Sequence, residues 1–261
     1  MTGAFRLTVF VLLLATGWIG VIGASAAQPN NSGTVDLTGK GCRAVTNIYN
    51  TVPTETLRPL VPATFTLLPS PITKTPIVYL HSVMCETFDV GAEPGTQGGF
   101  ALSAVSVEPT AITPAAPRNL YVIYAVTNVS PLHEAFRSAG IDSHESTDLN
   151  VAFPSTMQTV LSVGGGTSPF TLTIDGDKPT VPQPFGKNSF NFVGLNKMLQ
   201  TVFHFDHMES QPGYRGSGTF AGTEGTLIHK LIAGPPTYTA LSVPMDFKGS
   251  ISQVLRVPAI H

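Results

Sequence analysis

Leu120-Tyr121-Val122-Ile123-Tyr124-Ala125-Val126-Thr127 is the stretch that decides how this chain is read. Its aromatic and β-branched residues run without a polar interruption, the composition a buried strand takes on a pleated surface. A second stretch, Ile77-Val78-Tyr79-Leu80-His81-Ser82-Val83-Met84, is almost as continuous. It predicts a strand buried on both faces or lining an interior. Working outward, Ala44-Val45-Thr46-Asn47-Ile48-Tyr49 and the segments 65–68, 100–107, 150–153, 157–163, 170–174, 189–193, 199–206, 218–221, 226–232, 238–243 and 247–254 read as further strands. Gly and Pro turns separate them. Residues 95–99 are expected to form a Gly-rich turn, Asp175-Gly176 a hairpin turn, and the Pro-rich stretch 179–186 a loop.

Two helices interrupt this β pattern. A short one is expected over 53–58, with Thr54 as N-cap, and Pro59 and Pro62 end it. A clearer one starts at Ser130 as N-cap with Pro131 in the first turn, places Leu132, Ala135 and Phe136 on one face, and stops at Gly140. Many short strands with so few helices predict a mostly β (α+β) chain: a sandwich or, as the preferred reading, a single-domain bent or cone-shaped β-barrel with one or two short helices at the rim.

The first residues carry a basic start at Arg6, an apolar run over 7–22 and small residues ending Ala24-Ser25-Ala26, the three regions of a cleavable signal peptide. Residues 1–26 are therefore read as a signal peptide, 27–41 as a flexible N-terminal segment, and 42–261 as one β-rich domain, secreted or otherwise extracytoplasmic. Charged residues make up 11% of the chain, so the polar surface must come from Ser, Thr, Asn and Gln, as in many exported β proteins. A formal net charge of −2 provides no electrostatic footprint for nucleic acid and no basic face for an anionic membrane. Beyond the leader no segment is long and apolar enough to span a bilayer. The two cysteines, Cys42 and Cys85, are expected to form one disulfide. Closing a loop of about 44 residues removes on the order of 4 kcal/mol of unfolded-state entropy. A nucleophilic Cys85 would need a reduced thiol, which that compartment disfavours.

Residues with chemistry are scattered. His204-Phe205-Asp206-His207 draws notice because imidazole and carboxylate make zinc ligands and acid–base pairs. On a strand, however, His204 and His207 point to opposite faces while His204 and Asp206 share one, so a single metal is not expected there. His81, Glu86, His204 and Asp206 are the catalytic candidates, and no cofactor is expected. His133, Glu134, His144, Glu145 and Asp148 read as the polar surroundings of the second helix. Gly164-Gly165-Gly166 lacks the Lys-Ser/Thr of a phosphate loop, and neither a Gly-x-Ser-x-Gly elbow nor a His-Glu-x-x-His helix is present. Asn30 and Asn128 head glycosylation sequons.

The order of the Leu57-Arg58-Pro59-Leu60-Val61-Pro62 phrase, the 77–84 strand, a Gly-rich turn, the 120–126 strand and the Ser-Pro helix resembles the acetoacetate decarboxylase-like superfamily over residues 42–153. The resemblance implies a cone-shaped barrel with a largely apolar internal pocket. Enzymes of that family work through a Schiff-base lysine with a neighbouring lysine, a glutamate and an arginine. Arg43 resembles the arginine, Gln97 stands near the glutamate position, and the segment 119–153 holds His133, Arg137 and His144 but no lysine. Without the amine there is no iminium electron sink.

The leading expectation is thus a barrel that binds a small, mainly apolar or keto-acid-like molecule, lined by Arg43, Tyr79, His81, Met84, Gln97, Tyr121 and Ile123. Which face of each strand turns inward is not readable from alternation alone. The alternatives are a lyase, decarboxylase or hydrolase using His and Glu acid–base groups, and a secreted interaction module without a pocket.

Overall fold

The computed structural model describes residues 34–109, 118–155, 157–164, 169–179, 187–196, 199–209, 214–232, 234–241 and 245–255. The leader read over 1–26, Asn30, Gly165 and Gly166, and the Pro-rich loop beyond Pro179 lie outside the described residues. In chain order the elements are β1 (Thr34–Tyr49), α1 (Thr54–Leu57) continued by a 3-10 turn (Arg58–Leu60), β2 (Val78–Val90), β3 (Glu93–Ser106), β4 (Arg118–Thr127), α2 (Ser130–Ser138), β5 (Ser143–Glu145), β6 (Leu149–Ala152), β7 (Gln158–Val163), β8 (Phe170–Pro179), β9 (Lys187–Asn196), β10 (Leu199–Glu209), β11 (Tyr214–Gly222), α3 (Leu227–Ile232), β12 (Tyr238–Leu241) and β13 (Met245–Leu255).

The organising element is β1, because one of its edges serves two partners. Its other edge pairs with β2 along nearly the whole length, from Leu37↔Val90 to Tyr49↔Val78. Sheet order then runs β2, β3, β4, β9, β10, β13, and β13 returns to β1 at residues 34–42, closing a seven-stranded barrel. All of these pairings are antiparallel except β4 with β9. Past Cys42 the edge that β13 vacates is taken by β12, at Val45↔Leu241 through Ile48↔Tyr238. From β12 the sheet continues through β11, β8 and β7 to β6 as an outer arm. The register break between Gly39 and Cys42, where Gly41 has a φ of 59°, falls just before this change of partner. A bulge bends one strand and increases its twist, and here it lets one strand belong to two sheets.

Alternation sorts the side chains of the barrel wall into two cores. Inward, Phe88, Phe100, Phe192, Phe203, Phe205 and Phe247 pack with Leu132 and Phe136 of α2, so the barrel is filled with rings rather than hollow. Phe136 lies 4.9 Å from Phe203 and Phe88 lies 5.7 Å from Phe247, centroid to centroid. Outward, the other face of β1 to β4 meets Leu149 and Val151 of β6, Leu161 of β7, Leu172 of β8, and Ile228 and Leu231 of α3. The barrel expectation holds, and the outer arm is what the sequence pattern did not announce.

Several local expectations are corrected. Residues 34–41, inside the stretch read as flexible, are already strand, because β13 and β2 supply them with ladders. Residues 95–99 are strand, not turn; the reversal is at Gly91, whose φ is 66°. Asp175-Gly176 does not turn either, since β8 runs through it between β7 and β11. Residues 227–232 are helical where a strand was expected. Ile228, Leu231 and Ile232 are all buried, and the Thr226 hydroxyl accepts from the His229 amide at 3.3 Å. A mainly apolar run six residues long carries both periodicities, and the cap decides. Residues 65–68 contribute only the isolated bridge Leu67↔Val107. α2 keeps its Gly140 stop (φ 74°), but Ser130 does not cap it; its hydroxyl donates to the Glu145 carboxylate instead. α1 likewise has Pro53, not Thr54, at its N-cap position. In the phrase that follows, Arg58 donates to the carbonyls of Phe65 at 3.1 Å and Pro62 at 2.9 Å, which ties the proline loop down.

The Cys42–Cys85 disulfide forms, linking β1 to β2 across 43 residues with both sulfurs turned into the barrel core. A bond of this kind belongs to an oxidising compartment. Glycine is required at one point nearby: a Cβ on Gly99 would lie 2.1 Å from the Val83 carbonyl oxygen. Gly99→Ala is expected to destabilise the fold by about 1–3 kcal/mol in urea unfolding, since the obstacle is backbone. Gly234→Ala, where nothing lies within 4 Å, is the matched control and should stay within about 0.5 kcal/mol.

Candidate functional site

The residues singled out from sequence divide between the two faces of the barrel wall. Tyr79 and His81 turn into the ring-filled interior. His81 is 2% exposed, its Nδ1 is 2.7 Å from the Thr46 hydroxyl, and its ring lies 5.5 Å from Phe192 and 6.1 Å from Phe100. Burial disfavours the imidazolium and lowers its pKa from 6.5 to about 3, so the ring is neutral across the physiological range. It is a core histidine. Arg43, Met84, Tyr121 and Ile123 share the opposite face, the one that meets the outer arm. Gln97 and Glu86 are exposed, and Glu86 lies over Gly41.

His204 projects from the outer side of β10, opposite in sense to Phe203 and Phe205. Its Nδ1 is 2.6 Å from Asn191 Oδ1, and the Asn191 amide donates to Asn119 Oδ1 at 2.8 Å. With Asn191 Oδ1 as acceptor, the His204 proton sits on Nδ1. The Asp206 side chain lies outside the described residues. His81, Glu86 and His204 therefore occupy three separate environments: barrel interior, exposed surface and outer wall. Among the described residues no three His, Cys, Asp or Glu side chains gather as metal ligands.

What the fold does bring together lies on the outward face of β1 to β4. The Arg43 guanidinium carbon stands 4.0 Å above the Phe153 ring, a cation–π contact, while its buried Nε has no partner. Met84 is directly across from Arg43 on β2. Two residues along β2, Ser82 is fully buried and its hydroxyl has no partner. Ser103 of β3 repeats this, fully buried and unpartnered. Ser103 in turn is paired with Tyr124 of β4, whose ring lies 5.3 Å from that of His144. Arg43, Ser82, Ser103 and Tyr124 thus form a diagonal across four strands, each a step of about 5–8 Å. Around it stand Val45, Leu80, Ala101, Tyr121 and Ile123. Tyr121 packs on Phe65 at 5.0 Å. Burial, with Asp142 behind it, raises the Tyr124 pKa to about 12, so the phenol stays protonated as a donor.

Of the residues on this face, the sequence reading named Arg43, Met84, Tyr121 and Ile123 and did not name the two serines. Their only signal was a small hydroxyl inside each of two largely apolar stretches, which reads as a tolerated small residue until the structure leaves both hydroxyls buried without a hydrogen bond. Near the diagonal's far end, His144 is 3.6 Å from Asp142 and His133 Nδ1 is 3.0 Å from the Ser143 hydroxyl. Asn128, the second sequon asparagine, has its side-chain oxygen engaged by the Gly99 amide at 2.8 Å.

No protein-family model and no curated protein sequence matches this chain. Solved structures do match in fold. An acetoacetate decarboxylase structure aligns with a TM-score of 0.58 at 8% identity, over 86% of this chain and 91% of that one. The acetoacetate decarboxylase of Legionella pneumophila subsp. pneumophila str. Philadelphia 1 aligns with a TM-score of 0.58 at 12% identity, over 85% and 87%. The enduracididine biosynthesis enzyme MppR, complexed with pyruvate, aligns with a TM-score of 0.51 at 14% identity, over 85% and 90%. At such identities the likeness establishes the fold and no activity.

Proposed function

We infer that this chain, which has the fold of acetoacetate decarboxylase, is an exported protein that holds a small, mainly apolar, keto-acid-like molecule against the Arg43–Ser82–Ser103–Tyr124 face. The observation that carries the reading is Arg43: a guanidinium stacked on Phe153, with a buried Nε that no group among the described residues satisfies. A buried unpartnered donor beside apolar side chains is a place where a ligand's acceptor is favoured. MppR was solved with pyruvate, which suggests the class of small acid to try.

The family's Schiff-base chemistry is not part of this proposal. The segment 119–153 contains no lysine, Lys40, Lys74, Lys230 and Lys248 are exposed, and the side chains of Lys178, Lys187 and Lys197 lie outside the described residues. Gln97 carries an amide in place of a carboxylate, and its side chain is exposed. The lyase or hydrolase alternative draws in sequence on His81, Glu86, His204 and Asp206, and His144 with Asp142 at 3.6 Å and His133 with Ser143 at 3.0 Å are further pairs that would serve it.

Export rests on the signal-peptide pattern together with the disulfide. It has a cheap test, because the sole tryptophan, Trp18, lies in the leader. Mature protein recovered from its host is expected to begin at Ala27 and to show no tryptophan emission. Retention of Trp18 in the recovered protein would remove the cleavage reading.

For the site, native mass spectrometry of the host-purified protein should show a stoichiometric small molecule. Arg43→Met should weaken binding of an added straight-chain carboxylate, octanoate, by about 10- to 100-fold, the worth of a charge-assisted hydrogen bond. A protein that takes up nothing, from host extract or from added acids, would return the weight to an interaction module.

A further inference from the structure

The geometry points to Ser82 and Ser103 as the residues that select the ligand, by reading an uncharged oxygen function, a carbonyl or hydroxyl, set next to its apolar body. This deepens the binding proposal and rests on it. Both serines are fully buried, both hydroxyls lack a partner, and both lie on the face that carries Arg43. Register places them as diagonal neighbours, since Ser82 is paired with Ala101 and Ser103 is two residues further along β3. Ser103 also faces Tyr124 across β4, and the remaining neighbours on that face, Val45, Leu80, Ala101 and Val105, have no side-chain hydrogen-bonding group.

A buried hydroxyl without a partner costs stability, and alanine at either position would fit the same space without that cost. Two such hydroxyls side by side on one apolar face make a site in which an oxygen of a bound molecule is favoured and a hydrocarbon is penalised. The asymmetry is large where buried polar groups are built for a partner, because the wrong ligand leaves them unpaired. Arg43, one diagonal step from Ser82, would take a carboxylate when the ligand has one. The serines then distinguish a keto acid from the plain acid of the same length.

Thr201 provides an internal control. Its hydroxyl is also buried and unpartnered, but it shares the inward side of β10 with Phe203 and Phe205, away from Arg43.

The test compares α-ketooctanoate with octanoate on the wild-type protein and on Ser82→Ala, Ser103→Ala, the double variant and Thr201→Val, by calorimetric titration and thermal melts. Wild type should prefer the keto acid by about tenfold or more, and each serine substitution should reduce that ratio, the double variant bringing it to about onefold. All the substitutions should raise the melting temperature of the ligand-free protein by about 2–4 °C. Thr201→Val alone should leave the preference intact. Equal binding of the two acids by wild type, a preference that survives the double substitution, or serine variants that melt lower than wild type would each overturn the assignment while leaving the pocket standing. Binding of neither acid would overturn it together with the pocket.

Discussion

Protein in which Cys42 and Cys85 are both replaced by alanine should lose about 4 kcal/mol of stability, and its melting temperature should fall by about 8–15 °C. The disulfide spans 43 residues and joins two strands already paired, so its main effect is on the unfolded chain, which is denied the loop's freedom. A second contribution comes from the site. Cys42 and Cys85 are 0% and 2% exposed and pack in the aromatic interior, so two alanines also leave a small void there. Burial has a kinetic consequence as well. Thiol–disulfide exchange needs a thiolate to reach a sulfur, so reductant alone should act slowly on the native protein and quickly once urea opens it. Parallel melts of wild type and double variant, followed by circular dichroism, give the difference directly; a shift under about 2 °C would mean that the barrel holds β1 to β2 without the bond.

The second large effect is acid sensitivity through His81. In the native state its pKa is held near 3 by burial, against 6.5 for an exposed imidazole. Between those values the unfolded chain binds a proton that the native one refuses. Stability therefore rises with pH in that window, by up to about 1.4 kcal/mol per unit, and above pH 6.5 the histidine contributes no slope. Lowering the pH from 6.5 toward 3 should progressively unfold the protein. His81→Asn, which keeps a polar atom toward the Thr46 hydroxyl, removes this proton uptake. The variant should be less stable than wild type at pH 8 because it loses ring contacts with Phe100 and Phe192, yet show a flatter dependence from pH 6.5 to 4. Urea unfolding at four pH values compares the slopes, with carboxylate effects common to both proteins. Identical slopes would mean that His81 titrates normally in the native state.

Both effects sit in an interior that the rings of Phe88, Phe100, Phe192, Phe203, Phe205 and Phe247 pack together, whereas Arg43 and the two serines lie on the outward face of the same strands. A sequence reading that grouped Tyr79, His81, Met84, Tyr121 and Ile123 mixed the two. The period of two was readable within each strand, so Tyr79 with His81 and Tyr121 with Ile123 were sound pairings. The register between strands, which decides whether the β2 pair faces the β4 pair, was not.

Other features follow the same division. The strands read over 77–84 and 120–127 were legible because their β-branched and aromatic density has no helical competitor, while the extension of the first to Val90 was not. The helix at 227–232 was not, because six residues are too few to separate the periods. Gly95 to Gly99 looked like a turn from composition, yet Gly99 is there so that β3 can pass the Val83 carbonyl. Glycine frequency reports backbone freedom or close approach equally, and only the neighbouring strand tells which.

From sequence alone came the dominance of strands, the closed barrel as preferred fold, the cysteine pairing, and the absence of lysine over 119–153. Each follows from composition, local periodicity or counting, quantities that a chain carries before it folds. Only the tertiary structure decided that β1 belongs to both the barrel and an outer arm, that His81 is a neutral core residue, and that Arg43, Ser82, Ser103 and Tyr124 line one diagonal. Those depend on register between strands distant in sequence, where a shift of one residue exchanges the two faces, and on burial, which turns an ordinary hydroxyl or imidazole into one whose partner matters.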